Sequence, residues 1–321
     1  MVLRSFGVRC VPAALCGALS SEPSFASIAD HRLGSTIFLF RSICALIVRF
    51  VLQFSEIFAR KNQEPRTKNS PMSLSRLKLL IAYDGRPFRG WQSQATKDTV
   101  QDHLEAAFAE ITQQRVSVQG SGRTDAGVHA LGQVAHADVP EGKLTTSAWQ
   151  IALNGCLPKQ IRVIRATRAH PDFHARFDAT GKTYVYRIWN ESFLHPMELG
   201  RAWHFPSPLD MGVLRQGITL LTGIHDFASF AANRGQPSKD TIRNLHRIVP
   251  AKCGPLLTLR FEGDGFLYKM VRLLTGTLIR CAQGRAELSY ITDLLSSSGN
   301  RKTTFAAPAN GLYLVRVNYS R

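Results

Sequence analysis

From residue 72 onward the chain switches repeatedly between two apolar spacings. Residues 77–83 form a short apolar run ended by the turn pair Asp84-Gly85, which predicts a strand. Val100, Leu104, Ala107, Phe108 and Ile111 then recur at the three-and-four spacing of an amphipathic helix. Residues 116–118 read as strand, 120–127 as a shaped loop and 128–139 as an alternating strand. A helix over 147–154 and a strand over 161–168 close the first cycle. A second cycle predicts a strand at 183–189, a helix at 209–221 and strands at 242–250 and 256–262. It continues with helices at 268–281 and 288–295 and a closing strand at 312–317. Two successive strand–helix–strand cycles imply an α+β fold with two related halves. The halves are inferred from pattern, since no clear sequence repeat links them.

Residues 1–71 break this rhythm. The stretch 37–54, IFLFRSICALIVRFVLQF, is nearly long enough to span a bilayer. Arg41 and Arg49 interrupt it, and each costs about 2.5–3.5 kcal/mol near a helix centre, so no membrane span is expected. Residues 1–49 carry five Arg, seven Ser and two acidic residues, the bias of an organelle transit peptide. Residues 60–71 read as a polar linker, and Met72 before SLSRLKLLIAY also reads as a translation start. Extension, targeting segment and untranslated leader stay open at this point. A cytoplasmic location is expected, with organelle targeting as the alternative.

Charge sharpens the picture. The 321 residues carry 40 Lys and Arg against 23 Asp and Glu, a net of +17, with 44% hydrophobic residues. That is enough apolar material for a core and excludes a disordered chain. Residues 72–321 alone hold 31 basic and 19 acidic residues, a net of +12, so the excess is not confined to the tail. A phosphate-rich polymer is the partner this favours, with a solvated basic surface as the plainer alternative. The six cysteines include no CxxC pair and no zinc-ligand spacing.

The stretch 120–138, GSGRTDAGVHALGQVAHAD, carries the most chemistry. Its glycines permit sharp turns or close approach of a ligand. Arg123 and Asp125 are two apart and share a face if the backbone is extended. A carboxylate beside a guanidinium at the mouth of a basic cleft is a candidate nucleophile or base. The alternative is a structural Asp125 that caps a turn, with Arg123 as its ion-pair partner. No phosphate-binding lysine loop and no His/Cys ligand set occurs nearby, so neither a metal nor a cofactor is expected.

GRTDAGVHA with the following GQV resembles the signature of the tRNA pseudouridine synthase A family. Further segments resemble that family in order. They are Tyr83-Asp-Gly with Phe88 and Gly90-Trp-Gln92, the turn Asn154 to Pro158, Asp172-Phe-His-Ala-Arg176 with Phe177, and Lys182-Thr-Tyr184 with Tyr186. Later come His225-Asp-Phe227 with Ser229-Phe230, Gly265-Phe-Leu-Tyr-Lys-Met-Val-Arg272, and Gly311-Leu-Tyr-Leu314. The resemblance runs from about residue 77 to 319. Residues 1–71 match nothing in it, and Lys269 stands where the family often has histidine.

The resemblance implies the pseudouridine synthase fold, with two ferredoxin-like halves flanking a basic cleft and a division into 1–71, 72–180 and 181–321. It implies a cofactor-free isomerase acting as a homodimer on uridines 38 to 40 of the tRNA anticodon stem-loop, with the target base flipped out. Asp125 occupies the place of the nucleophilic aspartate, which attacks either ribose or the uracil ring. Tyr184 matches the tyrosine that stacks on the target base, Arg272 the partner of the carboxylate, and Leu267 an apolar residue lining the uracil pocket. Read without the family, these are strand packing, a helix-face arginine and a core leucine. Arg123 matches the arginine that helps displace the base. Asp84, Gln92 and His129 are read as scaffolding. Arg176, with His174, either reaches phosphate or fixes its turn. Arg234, Lys239 and Arg243, in and beside the basic loop 231–241, are candidate tRNA contacts or a solvated charge run.

Two rivals remain at this stage. A non-catalytic RNA-binding protein on the same fold has no need of Asp125, Arg123, Tyr184 and Arg272 together. A hydrolase with an aspartate nucleophile predicts a divalent-metal requirement that EDTA tests.

Overall fold

The computed structural model describes residues 73–232 and 240–320, all within one compact unit. The features read in 1–71, and the contact candidates Arg234 and Lys239, lie outside the described residues. The chain runs β1 (Leu74–Tyr83), α1 (Val100–Thr112), β2 (Val118–Gly120), β3 (His129–Pro140), α2 (Thr146–Cys156), β4 (Ile161–Arg168) and β5 (Ala179–Trp189). It continues through β6 (Trp203–His204), α3 (Met211–Leu221), β7 (Gly223–Asp226), β8 (Ile242–Cys253) and β9 (Leu256–Gly263). Helices α4 (Met270–Ala282) and α5 (Ser289–Ser296) lead to the last strand, β10 (Leu312–Tyr319). The architecture is α+β. Among the described residues no helix is long and apolar enough to cross a membrane.

The strands form one sheet in the order β4-β1-β3-β10-β5-β9-β8-β7, with β2 added beside β3 and β6 beside β5. The first-cycle strands gather at one end and most second-cycle strands at the other. β10 lies between them. It pairs antiparallel with β5 along its length and parallel with β3 through only Tyr313–His129 and Leu314–Ala130.

Each end buries its own apolar face. Leu77, Leu79 and Ile81 alternate inward from β1, where Phe108 of α1 meets Trp149 of α2 with ring centroids 5.6 Å apart. At the other end Leu257, Leu259 and Phe261 alternate inward from β9 and share a core with Leu214 of α3, Leu274 and Leu278 of α4, and Ile291 of α5.

The structure shifts two expected elements. The strand expected at 116–118 begins at Val118, since only residues 118–120 enter the ladder with Ala135–Ala137. β3 does not alternate in burial, because both of its faces are covered. Gln133 is roofed by the loop after β2, where its side chain bonds Ser121 and Gly122. His136 lies under the 173–178 segment, accepting the Ala175 N–H at 3.1 Å. The short edge strand β7 was not expected at all.

Candidate active site

The loop between β2 and β3 carries Arg123 and Asp125 and sits where β3 and β10 meet. It is tied down on several sides. Lys182 Nζ donates to the Ser121 carbonyl at 2.8 Å, and Gln133 Nε2 donates to the Gly122 carbonyl at 2.9 Å. A Cβ on Gly122 would stand 2.8 Å from Lys182 Nζ, so a side chain there would push the ammonium off the Ser121 carbonyl. Tyr83 and Thr124 share a buried hydroxyl–hydroxyl bond of 2.8 Å, and the Trp91 N–H donates to the Thr124 carbonyl. Such a frame holds a side chain in place before any ligand arrives.

Asp125 projects from that frame onto Arg272. The Arg272 Nη1 donates to Asp125 Oδ2 at 2.9 Å, and both side chains are about six-sevenths buried. Arg272 is itself fixed, with its Nε donating to the Ala307 carbonyl at 2.7 Å. Its position near the start of α4 follows Lys269, which holds a left-handed φ of 59° at the helix N-cap. A non-glycine residue in that conformation stores strain of the kind found at functional sites.

A cavity of about 490 Å³ opens over this pair, lined by Arg123, Asp125, Arg176, Tyr184, Phe266 and Leu267 among others. Tyr184 comes from β5, in register with Leu314 of β10 and Phe261 of β9. Its ring meets Phe266 edge-on at 5.0 Å, and burial holds its hydroxyl well above the usual tyrosine range. Tyr186, two residues on, donates to the Pro308 carbonyl and is packed away from the cavity. Arg123 is exposed, and its Nε donates to Gln92 Oε1 at 3.1 Å. Among the described residues Asp125 forms an ion pair with Arg272, 147 residues away.

The cavity thus brings together Asp125, Arg123, Tyr184, Leu267 and Arg176, with Arg272 behind the carboxylate. Arg243 does not line it and pairs with Asp240 at 3.1 Å. His129 is buried, with Nδ1 accepting the Gly85 N–H and Nε2 against the Gly200 carbonyl. Burial lowers its pKa, and this bonding matches a neutral scaffold imidazole.

Lys182, in the Lys182-Thr-Tyr184 motif, does not line the cavity and supports the site by holding the Ser121 carbonyl. Burial, then the charges of Arg176 and Arg243, lowers its pKa to about 8. Its side was legible in the alternation of β5, which puts Lys182 and Tyr184 on one face.

Chemically, the site offers a carboxylate aimed by a fixed guanidinium, an aromatic and apolar wall of Tyr184, Phe266 and Leu267, and cations among its lining residues. Among the described residues no group of three or more His, Cys, Asp or Glu is placed to hold a metal.

The sequence profile described as tRNA pseudouridine synthase matches residues 79–178 and 218–320. A tRNA pseudouridine synthase A of Akkermansia muciniphila is 44% identical over 253 residues, covering 77% of this chain and 96% of the relative. Relatives of the same name from Maridesulfovibrio salexigens and Geobacillus kaustophilus are 43% and 42% identical. They cover 77% and 76% of this chain and 91% and 94% of their own lengths.

Proposed function

The chain belongs to the tRNA pseudouridine synthase family, and from that premise we propose that it isomerises uridine to pseudouridine in tRNA through the carboxylate of Asp125. The observation that carries the reading is the Asp125–Arg272 pair at 2.9 Å, whose carboxylate lines a cavity that also presents Tyr184.

The reaction breaks the bond between ribose C1′ and uracil N1 and forms one between C1′ and C5. The C5 proton leaves to solvent and N1 gains one, so no electrons are exchanged and no redox cofactor is needed. Asp125 is the nucleophile, and Arg272 orients it and balances its charge. Tyr184 and Leu267 hold the freed uracil between faces, so that it turns without escaping. Arg123 enters the stack as the target leaves it, offsetting an unstacking cost of a few kcal/mol. Arg176 and Arg243 meet phosphate.

In this reading the half 72–180 supplies the nucleophile and the half 181–321 supplies Tyr184, Leu267 and Arg272. The substrate is the anticodon stem-loop at positions 38 to 40, bound across a homodimer in the cytoplasm.

The test uses the full chain and unmodified tRNA tritiated at uridine C5. Ring rejoining through C5 releases tritium to water. Release is expected from the unsubstituted chain and is expected to vanish in Asp125→Ala while tRNA affinity stays within a few-fold. Near-normal release by Asp125→Ala sinks the assignment of the nucleophile. Absent release from every tRNA tried, with binding intact, points instead to a non-catalytic RNA-binding protein.

A further inference from the structure

A second cavity, of about 650 Å³, shares Gln92, Arg123, Thr124, Asp125 and Tyr268 with the first and is completed by Arg89, Gln94 and Ala126. The isomerisation derived above leaves Arg89, Gln94 and Tyr268 without a role. Yet the cavity is a built feature. Gly90 stands at φ +91°, where a Cβ would fall 2.5 Å from the Thr124 carbonyl oxygen. Only glycine lets the two loops approach so closely. The Trp91 N–H then bonds that same carbonyl at 3.1 Å, and Gln94 Nε2 donates to the Arg89 carbonyl at 2.9 Å. The loop carrying Arg89 is thereby fixed against the loop carrying Asp125.

The cation this cavity adds, Arg89, is lightly committed. Arg89 meets Asp98 at 3.8 Å with both side chains more than 60% exposed (63% and 62%), a contact of little worth in water. Arg123, on the wall shared by the two cavities, is exposed and donates from its Nε to Gln92. Tyr268 lines both cavities and carries Lys269 Nζ 5.3 Å from its ring centroid.

We infer that this second cavity seats a nucleotide adjoining the target uridine in the RNA strand, with its phosphate on Arg89 and its base against the Tyr268 ring. The inference rests on the reading of the first cavity as the seat of the target. Two cavities with a common wall suit consecutive units of one polymer. When the target leaves its stack, its neighbour loses a stacking partner, and an aromatic ring beside a guanidinium replaces it.

The test is a set of anisotropy titrations of a synthetic anticodon stem-loop RNA against the full chain at several KCl concentrations. Arg89→Gln is expected to weaken binding and to lower the slope of log K against log salt by about one. Tyr268→Ala is expected to weaken binding about 5- to 150-fold, with Tyr268→Phe restoring it. Methylphosphonates flanking the target uridine are expected to weaken the unsubstituted chain and to leave Arg89→Gln unchanged. Equal loss in both proteins, an unchanged slope in Arg89→Gln, full affinity in Tyr268→Ala, or no binding by the unsubstituted chain overturns the inference. All of these read binding. The isomerase reading stands or falls separately, on tritium release by the unsubstituted chain.

Discussion

Arg272 touches Ala307 twice: its Nε donates to the Ala307 carbonyl, and its own carbonyl accepts the Ala307 N–H at 3.0 Å. That leaves the Nη1 aimed at Asp125 with little freedom. Arg272→Lys keeps a positive charge but loses the planar fork that reaches carbonyl and carboxylate together. Turnover of bound tRNA is expected to fall about 10²- to 10³-fold, with affinity changing far less. Single-turnover tritium release beside a binding titration separates the two, and lost affinity with intact turnover reassigns Arg272 to docking. The pair also shows what spacing hides. Asp125 was noticed beside Arg123, two residues away, because local spacing is all that a bare sequence displays. Its observed partner lies 147 residues on and was legible only through the family resemblance. A second residue-scale prediction concerns His136. Burial, then the nearby charges of Arg76 and His174, lowers its pKa to about 4, although Asp138 and Asp178 pull the other way. The unfolded chain binds that proton near the ordinary value of 6.5, so stability is full above 6.5 and is lost as pH falls toward 4. Urea midpoints are expected to drop across that window and to drop less in His136→Asn; equal slopes in both proteins refute it.

At the scale of elements, the helix stripes were read within a residue or two because their apolar faces point at one sheet. α1 begins at Val100 as its stripe implies, whereas α2 to α5 start one or two residues from the expected positions, because caps depend on geometry. Thr99 begins α1 with a reciprocal box: its hydroxyl accepts the Asp102 N–H, and the Asp102 carboxylate accepts the Thr99 N–H, both at 3.3 Å. Thr99 is fully buried, so its loss strands polar groups without water to replace the hydroxyl. Thr99→Ala is expected to cost about 1–2 kcal/mol of stability, read from urea denaturation. A change within a few tenths excludes the box as a determinant of α1. The strands were less legible. β3 breaks the period-two rule because loops cover its outer face, and β7 has only four residues, too few to show a period.

At the scale of the molecule, the two cycles of pattern join in one sheet, with first-cycle strands at one end and most second-cycle strands at the other, and the joint between them was not legible. β10 enters the middle of the sheet through a two-residue parallel contact with β3, and so short a pairing leaves no signature in sequence. That joint matters for charge, because it places the site where both halves contribute cations: Arg123 and Arg176 from one, Lys269 and Arg272 from the other. A site so placed, in a region of net +12, should draw RNA through counterion release more than through base contacts. Each neutralised phosphate contributes roughly 0.7–0.9 to the salt slope. Even three such contacts therefore predict a fall in tRNA affinity of at least about tenfold between 50 and 200 mM KCl. Filter-binding titrations across that range provide the measurement. A change below twofold would mean that the basic excess is a solvated surface, and that affinity comes from the cavity alone.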